Sequence, residues 1–373
     1  MPAGAASSVE LSAAQALSLR MTSLLLRPHP LGNPGTVAGV VEWFGAMQAQ
    51  DVASALWSLG VRLPGATLAD VNAALERREV LRTWPMRGTV HLVPAADTHW
   101  MLDLMGVRAL AGAAKRRETI GLPERTAERG VEVLAEALTG KRLTRAECLA
   151  ALTGAGLQLG PQMGYHLLWY ASQKGVTAIA PHVGKEQTFV LLDEWVPKPN
   201  RPSREEALAT IAQRFYRSHG PATVKDLMRW TGLTTKDVRA GIAGADLATV
   251  RVDGQEMVLD PAVGESGALA GWDVLPGFDE YLLGYGDRSL MVDKPDETKI
   301  IPGGNGVFQA TIVNAGRVVG TWKRSLGRKA VTIDAMPLGE LRAAERARAE
   351  AAFNGYGEFV GLPPVVRWAG ADA

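Results

Sequence analysis

PATVKDLMRWTGLTTKDVRAGIAGADLATVRVDGQEMVLD, Pro221–Asp260, carries the reading of the fold. Thr223 precedes one amphipathic stretch that stops at Gly232, and Thr234 or Thr235 opens the next. Threonine before an apolar-periodic run supplies a side-chain oxygen to a helix N-terminus, and glycine suits its end. Two short strands follow, joined by Asp253-Gly254, a dipeptide suited to a two-residue hairpin turn. Arg204–Gly220 is a further helical stretch upstream. Three helices followed by a two-stranded wing is the winged variant of the helix-turn-helix.

The same plan recurs twice earlier in the chain. From Ser12 to Pro94, helices are expected over Val37–Gln48, Asp51–Gly60 (with Asp51 as N-cap) and Leu68–Glu79, then a strand over Thr89–Val93. From Arg125 to Trp195, helices are expected over Arg129–Gly140, Leu143–Gly156 and Met163–Gly175, then strands over Val176–Pro181 and Gln187–Trp195. Thr144 and Glu147 have the spacing of a capping box. Three similar units argue for a tandem array, against three unrelated α/β segments.

From about Leu275 the texture changes to short strands between Gly and Asp turns, with Asn314-Ala315-Gly316 joining two of them. Pro337–Phe359 reads as a helix ending near Gly355 and packed on that sheet. The expected class is α+β: three tandem winged helix-turn-helix motifs (residues 12–94, 95–200 and 203–262), then a β-barrel-like domain over 270–370.

Composition bounds the function. With 373 residues, 47% of them hydrophobic and 21% charged, the chain can build ordinary cores. No apolar run has the length of a membrane span, and residues 1–12 lack the pattern of a secretory signal. One cysteine, Cys148, excludes an internal disulfide and a Cys-rich metal site, and suits a reducing cytoplasm. The six histidines are scattered, so no metal is expected. Net charge is +1, so a nucleic-acid surface needs charge segregated to one side. The Gly154–Gly160 stretch is not a dinucleotide fingerprint, Pro302–Gly306 lacks the Lys-Ser/Thr of a P-loop, and no Gly-x-Ser-x-Gly elbow occurs.

The chemistry rests on a few stretches. Gln48 and Gln50 flank Ala49 just before the Asp51 cap. On a helix, positions i and i+2 diverge, whereas in extended chain they share a face. The pair therefore sits at a helix–helix junction where both amides can converge. An amide is no general base near neutral pH, but it can hold a water or substrate group. The competing reading is that the two amides satisfy backbone groups of a loop.

Trp84, Arg87, Thr89 and His91 lie in Thr83–His91. They can serve stacking and phosphate or base-edge contact, or Trp84 and His91 can be packed core groups. Asp279 and Glu280 with Asp287 and Arg288 suggest acid–base work or, equally, a turn network. Lys323 and Arg324 form a basic, aromatic strand end next to Trp322, suited to phosphate or left as a solvated edge. Lys115–Arg117 is a solvated face or a DNA contact.

Taken together, MQAQ (47–50), TWPMRGTVHLV (83–93), LPGFDEYLLGYGDR (275–288) and GRVVGTWKR (316–324) resemble the AlkZ/YcaQ-type DNA glycosylases of the winged-helix superfamily. The resemblance runs from about residue 12 to 368. It implies tandem winged helices with a C-terminal β-barrel, and excision of bulky alkylated bases or unhooking of interstrand crosslinks. The Gln-x-Gln form matches the branch associated with self-resistance in producers of DNA-alkylating antibiotics, with Ala49 smaller than the apolar middle residue of some members. The resemblance assigns catalysis to Gln48 and Gln50. Trp84, Arg87, Thr89, His91, Arg288, Lys323 and Arg324 are the expected DNA contacts, and Asp287–Asn305 a hairpin that probes DNA. The expectation is a monofunctional glycosylase acting on N7-alkylated purines in duplex DNA. It would be a monomer in the cytoplasm, on the nucleoid where DNA is damaged, with no cofactor and no membrane partner. The rival class is a non-catalytic winged-helix regulator or drug-sequestering protein, which binds DNA but releases no base.

Overall fold

The computed structural model describes residues 9–369 apart from Ser266 and Asn305. Its helices start where polar caps stand. Asp51 accepts the Ser54 N–H at 2.6 Å, and Thr144–Glu147, Ser203–Glu206 and Thr223–Asp226 form reciprocal capping boxes. Thr234, rather than Thr235, caps Thr235–Ala243. Each such cap is worth about 1 kcal/mol.

Three hairpins turn at two-residue loops with both residues at positive φ: Arg87-Gly88 (55° and 71°), Asp253-Gly254 (49° and 75°) and Ala315-Gly316 (48° and 76°). This geometry matches the right-handed twist of paired strands.

The first two helix–hairpin units share one six-stranded sheet. Val80–Met86 and Thr89–Pro94 form one hairpin, Thr177–Val183 and Glu186–Leu191 the other, and they join where Arg82 pairs with Ile179. Met47–Gln48 and Leu143–Thr144 are its outer strands. The third hairpin, Ala248–Val252 and Gln255–Leu259, gains a parallel strand from Val9–Leu11. Trp272–Leu275, Ala310–Asn314, Arg317–Leu326, Val331–Pro337 and Pro364–Trp368 make the C-terminal sheet.

Several expectations need correction. Among the described residues the C-terminal sheet is open: Trp272–Leu275 and Pro364–Trp368 are its edges and do not pair, so no closed barrel is formed there. Helix Ala343–Val360 lies against it, with Phe353 and Tyr356 edge-on to Trp322, and runs past Gly355 to the left-handed Gly361. Helix Val37–Phe44 ends before Gln48, because Gly45 takes φ 79° and turns the chain into a strand. The expected hairpin over Asp287–Asn305 contains short helical turns at Lys294–Asp296 and Glu297–Ile300, and Gly303 then turns the chain at φ 67°. Its last residue, Asn305, and the outer boundary of the 270–370 domain, Gly370, lie outside the described residues. No helix among the described residues is long and apolar enough to cross a membrane.

Candidate active site

Met47–Gln48 pairs antiparallel with the first hairpin, Met47 opposite Leu92 and Gln48 opposite His91. The Ala49 N–H continues the ladder to the Val90 carbonyl at 2.7 Å. One residue later the Asp51 cap starts helix Val52–Gly60. Gln48 and Gln50 are therefore two residues apart in extended chain, between a strand and a helix. Ala49 turns into the core at 1% exposure. The two amides differ in surroundings: Gln48 is 8% exposed, while Gln50 is open to solvent. Among the described residues no hydrogen bond links their side chains.

Gln48 is clamped from two directions. Its backbone N–H donates to Glu280 Oε1 at 3.0 Å. Glu280 Oε2 accepts the Trp230 indole N–H at 2.9 Å and faces His219 Nε2 at 3.3 Å. Burial opposes charge on Glu280. The hydrogen bond and charge of His219, with the Gln48 and Trp230 donors, overcome it and hold the carboxyl down at about 2. Glycine at 284 lets the His219 ring approach, since a Cβ there would stand 2.2 Å from its Cδ2.

On the side-chain side, Arg87 Nη2 lies 3.4 Å from Gln48 Oε1 and 3.3 Å from His91 Nε2. His91 Nδ1 is 2.8 Å from the Thr89 carbonyl, so Nδ1 carries the proton and Nε2 accepts from Arg87. Burial, then the Arg87 charge, lowers His91 to about 3. A neutral imidazole thus fixes Arg87, and Arg87 in turn donates to the Gln48 carbonyl oxygen.

Gln50 opens onto a cavity of 640 Å³ whose walls include Arg82, Val90, Arg145, His182 and Lys185. Arg82 is 4% exposed and has no acidic partner among the described residues; its Nη2 meets His182 Nδ1 at 3.1 Å. Burial lowers Arg82 to about 10. Burial and the charges of Arg82 and Arg142 lower His182, leaving a neutral acceptor. This recess gathers three cations, Arg82, Arg145 and Lys185, beside one carboxylate, Glu186, with the Gln50 amide at its edge.

Of the other expected DNA contacts, Lys323 is exposed. Trp84 is corrected: at 2% exposure it packs in the core with Leu134 and Phe189 and has no face for a base. His91 is likewise removed from direct contact, being fully buried. Thr89 is half-buried, its Oγ1 without a partner among the described residues. Arg288 is a structural residue, donating to the Leu282 carbonyl and to Glu297. Arg324 is occupied by Asp51 at 2.9 Å, tying the C-terminal sheet to the helix that follows Gln50.

Glu280 was visible in the sequence as one of a pair, but its partner Asp279 works elsewhere, in a buried bidentate bond with Arg62. Arg82, His182, His219 and Trp230 carried no sequence signal, since each is a single residue brought in by tertiary packing.

The model of the family described as "DNA glycosylase AlkZ-like" matches residues 41–359, most of the chain. The chain belongs to the AlkZ-like DNA glycosylase family. Membership makes it a DNA glycosylase, with DNA as the polymer it acts on. The chain is 27% identical over 328 residues to the interstrand DNA cross-link repair glycosylase of Streptomyces sahachiroi, covering 83% of this chain and 87% of that protein. The solved structure of the Streptomyces sahachiroi DNA glycosylase AlkZ shares the fold, with a TM-score of 0.75 over 96% of this chain and all of that one, at 22% identity.

Proposed function

We propose that this glycosylase hydrolyses the N-glycosidic bond of N7-alkylated purines, including bulky adducts and interstrand crosslinks, with Gln48 and Gln50 as its catalytic pair. The observation that carries the reading is the clamped Gln48 beside the free Gln50 at one strand–helix junction. An N7-alkylated purine is a cation and leaves as a neutral base, so the site need not supply a strong acid. What remains is to hold water at the anomeric carbon and stabilise an oxocarbenium-like sugar, which fixed amide dipoles can do.

In this reading the three helix–hairpin units act as winged helices. The tip of the second wing, Val183–Glu186, and the cations Arg82, Arg145 and Lys185 face the DNA backbone, with Lys323 an outer contact. The enzyme works as a monomer. Water is the nucleophile; Lys185 is exposed at a wing tip and forms no Schiff base. The kinship to the crosslink-repair enzyme supports the extension to crosslinks.

The test is base release from duplex DNA carrying N7-methylguanine or N7-benzylguanine, for wild type, Gln48→Ala and Gln50→Ala. Release that falls about a hundredfold in both variants is expected. Release unaffected by either change removes the pair from catalysis. Duplex binding without release from either lesion moves the protein to the non-catalytic class. Covalent trapping by borohydride would overturn the water mechanism.

A further inference from the structure

A second cavity, of 750 Å³, lies across Arg145 from the Gln50 recess; Arg145 lines both. One wall is the helix Val107–Ile120, which presents Ala109, Gly112 and Ala113 at i, i+3 and i+4, small residues that leave room, with Arg116 at i+7 on the same face. The opposite wall is helix Met163–Gln173, with Tyr165 and Trp169 one turn apart. The third is the Arg87-Gly88 turn, and Arg87 is the residue that reaches Gln48.

The chemistry of these walls is aromatic and cationic. Tyr165 is 49% exposed, an unusual exposure for a large ring, and Arg145 sits 5.6 Å from its centre. Arg87, Arg116 and Arg145 make no ion pair among the described residues; Arg116 instead donates to Gln162. His166 is 5% exposed, and its Nε2 is buried without a partner among the described residues. Burial and the neighbouring Arg117 and Arg116 lower His166 to about 4, so the ring is neutral and adds no charge.

We infer that this cavity receives a planar aromatic group, neutral or anionic, carried on the alkylated base whose glycosidic bond lies at Gln48 and Gln50. The inference rests on the proposed glycosylase reading and adds the class of adduct. Ring faces at Tyr165 and Trp169 favour a flat π-system, and three guanidiniums without acids disfavour a cationic one. Arg87 and Arg145 join the two sites, so one ligand can span them.

Gly112 gives the test. It is exposed, has ordinary helical φ, and a Cβ there meets nothing within 4 Å, so Gly112→Phe adds a ring at the cavity wall with no clash at its Cβ. Release of N7-benzylguanine from duplex DNA should fall at least about tenfold relative to release of N7-methylguanine. Tyr165→Ala should move the same ratio in the same direction. Calorimetry with the free bases should show 7-benzylguanine binding more tightly than 7-methylguanine to wild type, with the difference lost in Gly112→Phe. An unchanged ratio and no preference among the free bases overturns the inference while leaving glycosylase activity standing. If Gly112→Phe instead weakens binding to undamaged duplex, the cavity is a track for the DNA backbone and the inference also fails. If wild type releases neither base, the proposed function falls, and the free-base measurement still decides the cavity: absence of 7-benzylguanine binding closes it.

Discussion

Glu280 accepts the backbone N–H of Gln48 at 3.0 Å across 232 residues of sequence, so a carboxylate after the C-terminal sheet's first strand sets the strand that carries Gln48. The same carboxylate receives Trp230 and His219 from the third helix–hairpin unit. A fully buried charge of this kind is tolerated because each oxygen has donors. Glu280→Ala should leave the Gln48 and Trp230 N–H groups and His219 without acceptors and cost about 3 kcal/mol or more. Urea denaturation reads this directly. Glu280→Gln, which keeps an acceptor, should cost less, and base release should fall in both. An unchanged urea midpoint in Glu280→Ala would mean the network does not hold Gln48.

The two glutamines should separate in stability though not in activity. Gln50 is exposed and has no hydrogen-bond partner among the described residues, so Gln50→Ala should stay within about 0.5 kcal/mol of wild type. Gln48 is buried against Arg87, so Gln48→Ala should cost about 1 kcal/mol. Thermal melts beside base-release rates decide this. Loss of activity in Gln50→Ala that tracks loss of folded protein would contradict it.

What was legible in the sequence follows the range of the forces involved. Caps and turns are local, and Asp51, Thr144, Asp253-Gly254 and Ala315-Gly316 sit where residue type and spacing put them. The extended Gln-x-Gln was legible because Asp51 fixed the next helix start. Gly45 was the missed signal: an apolar helix pattern ran on to Gln48, but glycine at positive φ ended it at Phe44. The strand Val80–Met86 was hidden by continuous burial, which shows no alternation, and by Pro85. Barrel closure depends on whether two distant edge strands meet, and no local pattern encodes that. Trp84 and Arg288 were misplaced for one reason: an aromatic or cationic side chain in a motif reads alike whether it faces solvent or an internal partner.

His91 links the site to pH. Its native value, lowered to about 3, lies well below the 6.5 of the unfolded chain. Below pH 6.5 the unfolded state takes up a proton that the native state refuses, so stability falls as pH drops through that range. At pH 5 the loss from His91 alone is about 2 kcal/mol. Glu280 acts lower, since its stabilisation persists until pH falls below the ordinary glutamate range. Urea midpoints at pH 7.5 and pH 5 should therefore differ more in wild type than in His91→Gln. Equal differences would mean His91 protonates freely in the native state.

Arg82 is the residue at which stability and function should pull apart. The residue is 4% exposed, its guanidinium meets a neutral histidine and no acid among the described residues, and it lines the Gln50 cavity. A buried charge without a counter-ion costs free energy in the isolated protein, and removing it is neutral or stabilising. A phosphodiester drawn to the cavity would supply the missing partner. Arg82→Met should therefore have wild-type stability or higher, yet bind duplex DNA more weakly, with a salt dependence shallower by about one phosphate contact. Arg82→Lys keeps the charge and should keep most of that slope while losing the two-pronged geometry of the guanidinium. Binding curves across a salt series, beside urea titrations of both variants, measure the two effects separately. If Arg82→Met is strongly destabilised and its salt slope unchanged, the guanidinium is holding the sheet together through His182, and the phosphate must be met by Arg145 and Lys185 instead.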